Sequence, residues 1–137
     1  MWVDGLFSNP AGVAVASDGN VYVSEIGNNM GGGDRIQKFT SEGVFIIKWG
    51  MEGTADGQLR WPTDVAVASD GSVYVADSGN DRIEKFTSEG VFVSKWGTEG
   101  TGDGQFQWPH GVTVAPDGNV YVTDGGNNCI QRFSVGS

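Results

Sequence analysis

A phrase of twenty residues occurs three times in this chain: PAGVAVASDGNVYVSEIGNN from Pro10, PTDVAVASDGSVYVADSGND from Pro62 and PHGVTVAPDGNVYVTDGGNN from Pro109. Self-similarity at a fixed period constrains a fold strongly, because each copy must be one structural unit that buries its apolar face against the next copy. The starts lie 52 and 47 residues apart, and the extra five are the NMGGG that follows Asn28 in the first copy. A second phrase, RIQKFTSEGVFIIKWG (35–50), matches RIEKFTSEGVFVSKWG (82–97). A period of about 40–50 residues points to solenoids or propeller blades.

Inside each copy the apolar period is two. Val65, Val67, Val73 and Val75 alternate with small or amphipathic residues, as do Val13, Val15, Val21, Val23 and Val112, Val114, Val120, Val122. Such alternation predicts strands and no helices. Asp18-Gly19, Asp70-Gly71 and Asp117-Gly118 each separate two such runs, a hairpin signal that relies on glycine at positive φ. SEG at 41–43 and 88–90 predicts a second hairpin, with glycine left-handed, and GNDR at 79–82 the turn between the two. The second copy therefore reads as a four-stranded meander: 64–68, 72–76, 82–86 and 91–96, innermost to outermost. Tandem four-stranded meanders are propeller blades. The fold class is all-β, with blade 1 at about 10–50, blade 2 at about 62–97 and blade 3 at about 109–133.

The string PTDVAVASDGSVYVADSGNDRIEKF (62–86) strongly resembles the NHL repeat, with its pattern GVAV…DG.VYV.D..N.RI..F. The resemblance runs from about Phe7 to Phe133 and implies a six-bladed propeller. The chain itself supplies eleven strands. The third copy ends at CIQRFSVGS, where the outermost strand is due, and Met1 aligns with Gly100, beyond the outermost strand of its copy. Three blades are too few to close a ring of the known kind, which needs at least about 4. Two chains head to tail would give six. The expectation is a homodimer of half-propellers, a non-catalytic scaffold with a peptide or protein ligand as a further partner. The rival is a fragment of a longer tandem chain. The near-identity of the first two copies fits recent duplication or deliberate design alike.

Charge and composition narrow the partners. The formal net charge of −9 opposes binding to nucleic acid or to anionic membranes. That disfavours the RNA-binding role known for some NHL domains. No stretch approaches the ~18 apolar residues of a membrane span, and the first ten residues lack the basic start and apolar run of a signal peptide. The one cysteine, Cys129, cannot form an internal disulfide. A cytoplasmic location is the default expectation.

The chain's one histidine, His110, follows Pro109 where a blade's inner strand begins, and the same slot holds Ala11 and Thr63. These three, with the inner-strand acid Asp64, are the candidates for a binding site at the mouth of a central channel. The chain is also similar to the lyase domain of peptidylglycine amidating enzymes. That resemblance implies zinc held by histidines from different blades, and only His110 carries across. A catalytic zinc takes three protein ligands, and two copies would bring two histidines. The expectation is no catalytic residue and no cofactor, with His110 the one metal candidate, an adventitious or structural cation in the channel the remaining option, and a partial amidating-lyase-like metal-dependent enzyme the alternative function. Glu25, Asp77 and Asp124 recur at the end of the second strand, where pairing with Arg35 and Arg82 or with turn N–H groups is the expected role. Trp49, Trp96, Trp61 and Trp108 recur at matched places, which predicts packing between blades.

Overall fold

The computed structural model describes residues 7–27 and 34–134. The insert at 29–33 and the last residues, 135–137, lie outside them. Blade 1 is β1 (Pro10–Val15), β2 (Val21–Glu25), β3 (Arg35–Phe39) and β4 (Phe45–Trp49). Blade 2 is β5 (Pro62–Val67), β6 (Val73–Asp77), β7 (Arg82–Phe86) and β8 (Phe92–Trp96). A short parallel pair follows, β9 (Thr98–Glu99) with β10 (Gln105–Phe106). Blade 3 is β11 (Pro109–Val114), β12 (Val120–Asp124) and β13 (Cys129–Phe133). Within each blade the strands are ordered as they run in sequence, with every neighbour antiparallel. Among the described residues the third blade stops at three strands.

The turns follow from local chemistry. Gly19, Gly71 and Gly118 take φ of 90°, 91° and 89°, and the aspartate before each accepts an N–H two residues on. Gly43 and Gly90 are left-handed as expected, at 85° and 84°. The inner strands begin two residues earlier than the alternation suggests, because Pro62 already pairs with Asp77 across a bulge at Thr63. The prediction of no helix needs one correction. Single 3₁₀ turns, Ser78–Asn80 and Gly125–Asn127, join the second and third strands of blades 2 and 3. Each ends on a left-handed residue, Asp81 or Asn128. One turn carries too little hydrophobic pattern to show in a sequence.

The core lies between blades. Tyr22, Ile36 and Trp49 of blade 1 pack on Val65, Val73, Val75 and Phe86 of blade 2. Tyr74, Ala76, Ile83 and Trp96 of blade 2 pack on Val112, Val120, Val122 and Phe133 of blade 3. So each blade has two faces. One carries Tyr, Ile and Trp toward the following blade, and one carries Val and Phe toward the preceding blade. Leu59 and Phe106, from the links, are fully buried at the two seams. Phe7 holds the matching place before blade 1 and lies 5.4 Å from Phe39.

Candidate functional site

The recurring acids at the end of the second strand are buried hubs. Asp77 accepts the Arg60 N–H at 2.6 Å, Asn80 Nδ2 at 2.9 Å and Arg82 Nε at 2.9 Å. Asp124 accepts the Gln107 N–H at 2.9 Å, Asn127 Nδ2 at 2.6 Å and Gln131 Nε2 at 3.4 Å. Glu25 accepts the Ser8 N–H, Gln37 Nε2 and Arg35 Nε. The arginine pairing is as expected. The main-chain donors come from the incoming link rather than from the turn after the strand. Each acid therefore ties its blade to the segment that enters it.

Arg82 extends this tie. Its guanidinium donates to the carbonyls of Thr54, Ala55 and Gln58 in the preceding link. Blade 3 has exposed Cys129 in that place, and there Gln131 holds the link by donating to the Gln105 carbonyl and accepting the Gly104 N–H. The same column holds Gln37, Glu84 and Gln131. Glu84 accepts the Gly57 N–H at 2.9 Å, as Gln131 accepts that of Gly104. Burial pushes the Glu84 carboxyl up to about 8, against the pull of Arg82 and the Gly57 N–H. A protonated Glu84 donates to Asp77 as the glutamine amides donate to Glu25 and Asp124. Nothing in composition marked Glu84; the column of aligned repeats, Gln-Glu-Gln, was the signal.

The four candidates at the start of the inner strands separate. Ala11 and His110 are exposed. Thr63 is buried, and its hydroxyl donates to the His110 carbonyl at 2.7 Å, so it fastens blade 2 to blade 3. Ser78 donates likewise to the Pro109 carbonyl. Asp64 is half-buried between three inner strands. Its Oδ2 accepts the Val112 N–H at 3.0 Å. Burial raises its pKa, while the Val112 and Val65 N–H groups and then His110 lower it. A Cβ on Gly12 would lie 2.6 Å from Asp64 Oδ1, so only glycine lets β1 pass this close. Val13, Val15, Val67, Val114 and Asp64 border an open recess of about 380 Å³ on this inner side. Among the described residues no three His, Cys, Asp or Glu side chains gather at metal-binding spacing.

The tryptophans fall into two pairs. Trp49 and Trp96 pack between blades, against Phe86 and Phe133. Trp61 and Trp108 are exposed instead, edge to face at 5.2 Å, both left-handed with φ of 55° and 66°. Their main-chain N–H groups cross to the preceding blade: Trp61 to Asp34 Oδ1 at 2.9 Å, Trp108 to Asp81 Oδ1 at 2.7 Å. No helix among the described residues is long and apolar enough to cross a membrane.

Radially ordered four-stranded meanders that bury their faces on one another define an arc of a β-propeller. Known proteins agree with this. The NHL repeat matches at residues 7–31, 59–86 and 106–133, more than half of the chain. The chain belongs to the NHL repeat family. It is similar to Protein brain tumor of Drosophila melanogaster, 36% identical over 76 residues, which are 55% of this chain and 7% of that protein. Among solved structures it is similar to a streptogramin B lyase (TM-score 0.72, 20% identity, 97% of this chain and 40% of that one). It is also similar to virginiamycin B lyase of Staphylococcus aureus (0.71, 18%, 98% and 41%) and to a gluconolactonase of Xanthomonas campestris (0.67, 14%, 96% and 39%). These identities speak for the fold alone. The chain spans about two fifths of each of those structures.

Proposed function

We propose that the chain is a non-catalytic NHL-repeat module that closes a six-bladed ring with a second copy of itself and presents the ring's surface to a peptide or protein ligand. One observation carries this reading: the two open ends of the arc have the chemistry of the two seams already buried inside it. The leading end shows Val13, 65% exposed, where Val65 inside a seam is 2% exposed. The trailing end shows Ile130, 70% exposed, where Ile83 is fully buried. Tyr121 and Ile130 stand in the columns of Tyr22, Ile36 and of Tyr74, Ile83; Val13, Val15 and Phe45 stand in those of Val65, Val67 and Phe92. Exposed apolar faces of this kind mark association surfaces. The trailing face of one copy fits the leading face of another, and a two-fold axis along the channel supplies both contacts at once.

The non-catalytic part rests on the donor set. His110 stands with Asp64 as its charged neighbour, and the recurring acids are spent on main-chain N–H groups, amides and arginines. To test the reading, Val13→Asp places a charge on the open leading face, away from either internal seam. The expected result is a chain that keeps its β circular-dichroism spectrum but sediments at half the wild-type mass. An unchanged mass would contradict closure through that face.

A further inference from the structure

We propose that the seam closing the ring carries a specific latch, in which Asn128 Oδ1 of one copy accepts the main-chain N–H of Asn9 of the other. The inference rests on the closure reading and names two residues within it. Both internal seams show the pattern. The left-handed residue before each third strand, Asp34 or Asp81 (φ 52° in each), accepts the N–H of the left-handed residue before the next blade's proline, Trp61 or Trp108. In each case donor and acceptor are 27 residues apart. The chain carries one more of each half. Asn128 is left-handed at φ 54° in the column of Asp34 and Asp81, and Asn9 is left-handed at φ 54° in the column of Trp61 and Trp108. The backbone at both ends is thus already set in the conformation of the internal latches.

Neither half is used within the arc. Among the described residues, the side chain of exposed Asn128 has no hydrogen-bond partner, and neither has the main-chain N–H of Asn9. The Asn9 side chain is otherwise engaged: Nδ2 donates to the Gly27 carbonyl at 2.7 Å, which holds the turn in place.

The choice of asparagine over aspartate fits a seam that assembles from solvent. At the first internal seam burial raises the pKa of Asp34, with Glu52 and Asp77 adding to the effect, against the Trp61 N–H and Arg60. That seam forms within one chain. A seam between chains would strip water from a charge each time it closed, whereas the Asn128 amide offers the same acceptor without the charge.

The test is the dimer dissociation constant of three full-length chains, measured by sedimentation over a dilution series at pH 7. Asn128→Gly removes the acceptor and keeps a residue at home in the left-handed region. Asn128→Asp keeps the acceptor. Asn128→Asp should fall between wild type and Asn128→Gly, since it keeps the acceptor but brings a charge to be desolvated, and Asn128→Gly should bind about tenfold more weakly than wild type or worse, since each ring holds two latches. Equal affinity for wild type and Asn128→Gly would overturn the latch while leaving closure intact. So would an Asn128→Asp chain as weak as Asn128→Gly. A wild-type chain that stays monomeric throughout would overturn closure itself, and the latch with it.

Discussion

Val13 and Val65 sit at the same place in successive blades, and so do Ile83 and Ile130. In each pair one residue is buried at an internal seam and the other is open to solvent. Their own sequence contexts are nearly the same. The difference is the presence of a neighbouring blade, so burial in this fold is a property of the seam and not of the blade. Stability in such repeat arrays is a sum of unit and nearest-neighbour terms. Among the described residues the arc holds two complete seams and, at its ends, two uncovered faces.

The sharpest way to break that contrast is to truncate both isoleucines. Ile83→Ala opens a cavity among Tyr74, Phe106 and Val120 and should cost about 2–5 kcal/mol, read as a lower urea midpoint. Ile130→Ala should leave the urea midpoint of the dissociated chain nearly in place, within about 0.5 kcal/mol. Its effect should appear as a dimer dissociation constant at least about tenfold weaker. Equal effects of the two truncations on the unfolding of dilute chains would remove the distinction between seam and end.

A smaller effect separates blade 2 from its neighbours. Glu84 is protonated in the fold well above its ordinary value of 4.5, up to about 8. The folded state therefore binds one more proton than the unfolded chain between these values. Its contribution is full below about 4.5 and is lost as pH rises through about 8. Glu84→Gln supplies the amide that Gln37 and Gln131 already use. It should flatten the decline of melting temperature from pH 5 to pH 8 and leave the variant about 4 °C or more above wild type at pH 8. Parallel melting curves for the two chains across that range would show that Glu84 is not the titrating group.

The smallest change is expected at His110. His110→Ala should leave the mass in solution unchanged and shift the stability by no more than about 0.5 kcal/mol. Dialysed wild-type protein should hold far less than one zinc per chain by elemental analysis. Stoichiometric zinc that disappears in the variant would restore a metal role for the channel mouth.

Most of this architecture is legible in the repeat itself. Alternating valines and Asp-Gly turns place the strands to within about two residues, and the aligned columns of the third copy account for the three strands that blade 3 has among the described residues. Less legible were features that depend on what crosses a seam. Thr63 reads like Ala11 and His110 in its column, yet it is buried because blade 3 covers it. Trp61 and Trp108 recur like Trp49 and Trp96, yet they stand exposed on left-handed backbone, a conformation that no hydrophobic pattern encodes. Glu84 is informative only as the one acid in a column of glutamines. The hubs at Glu25, Asp77 and Asp124 were visible as a column, but their link donors lie 17 residues away in sequence and are joined only by the fold.

Light scattering on a sizing column, over a wide concentration range, tests closure most directly. A closed pair requires a constant mass of 29 kDa, twice the 14.5 kDa of one chain. A well-folded species that holds at 14.5 kDa throughout would contradict it.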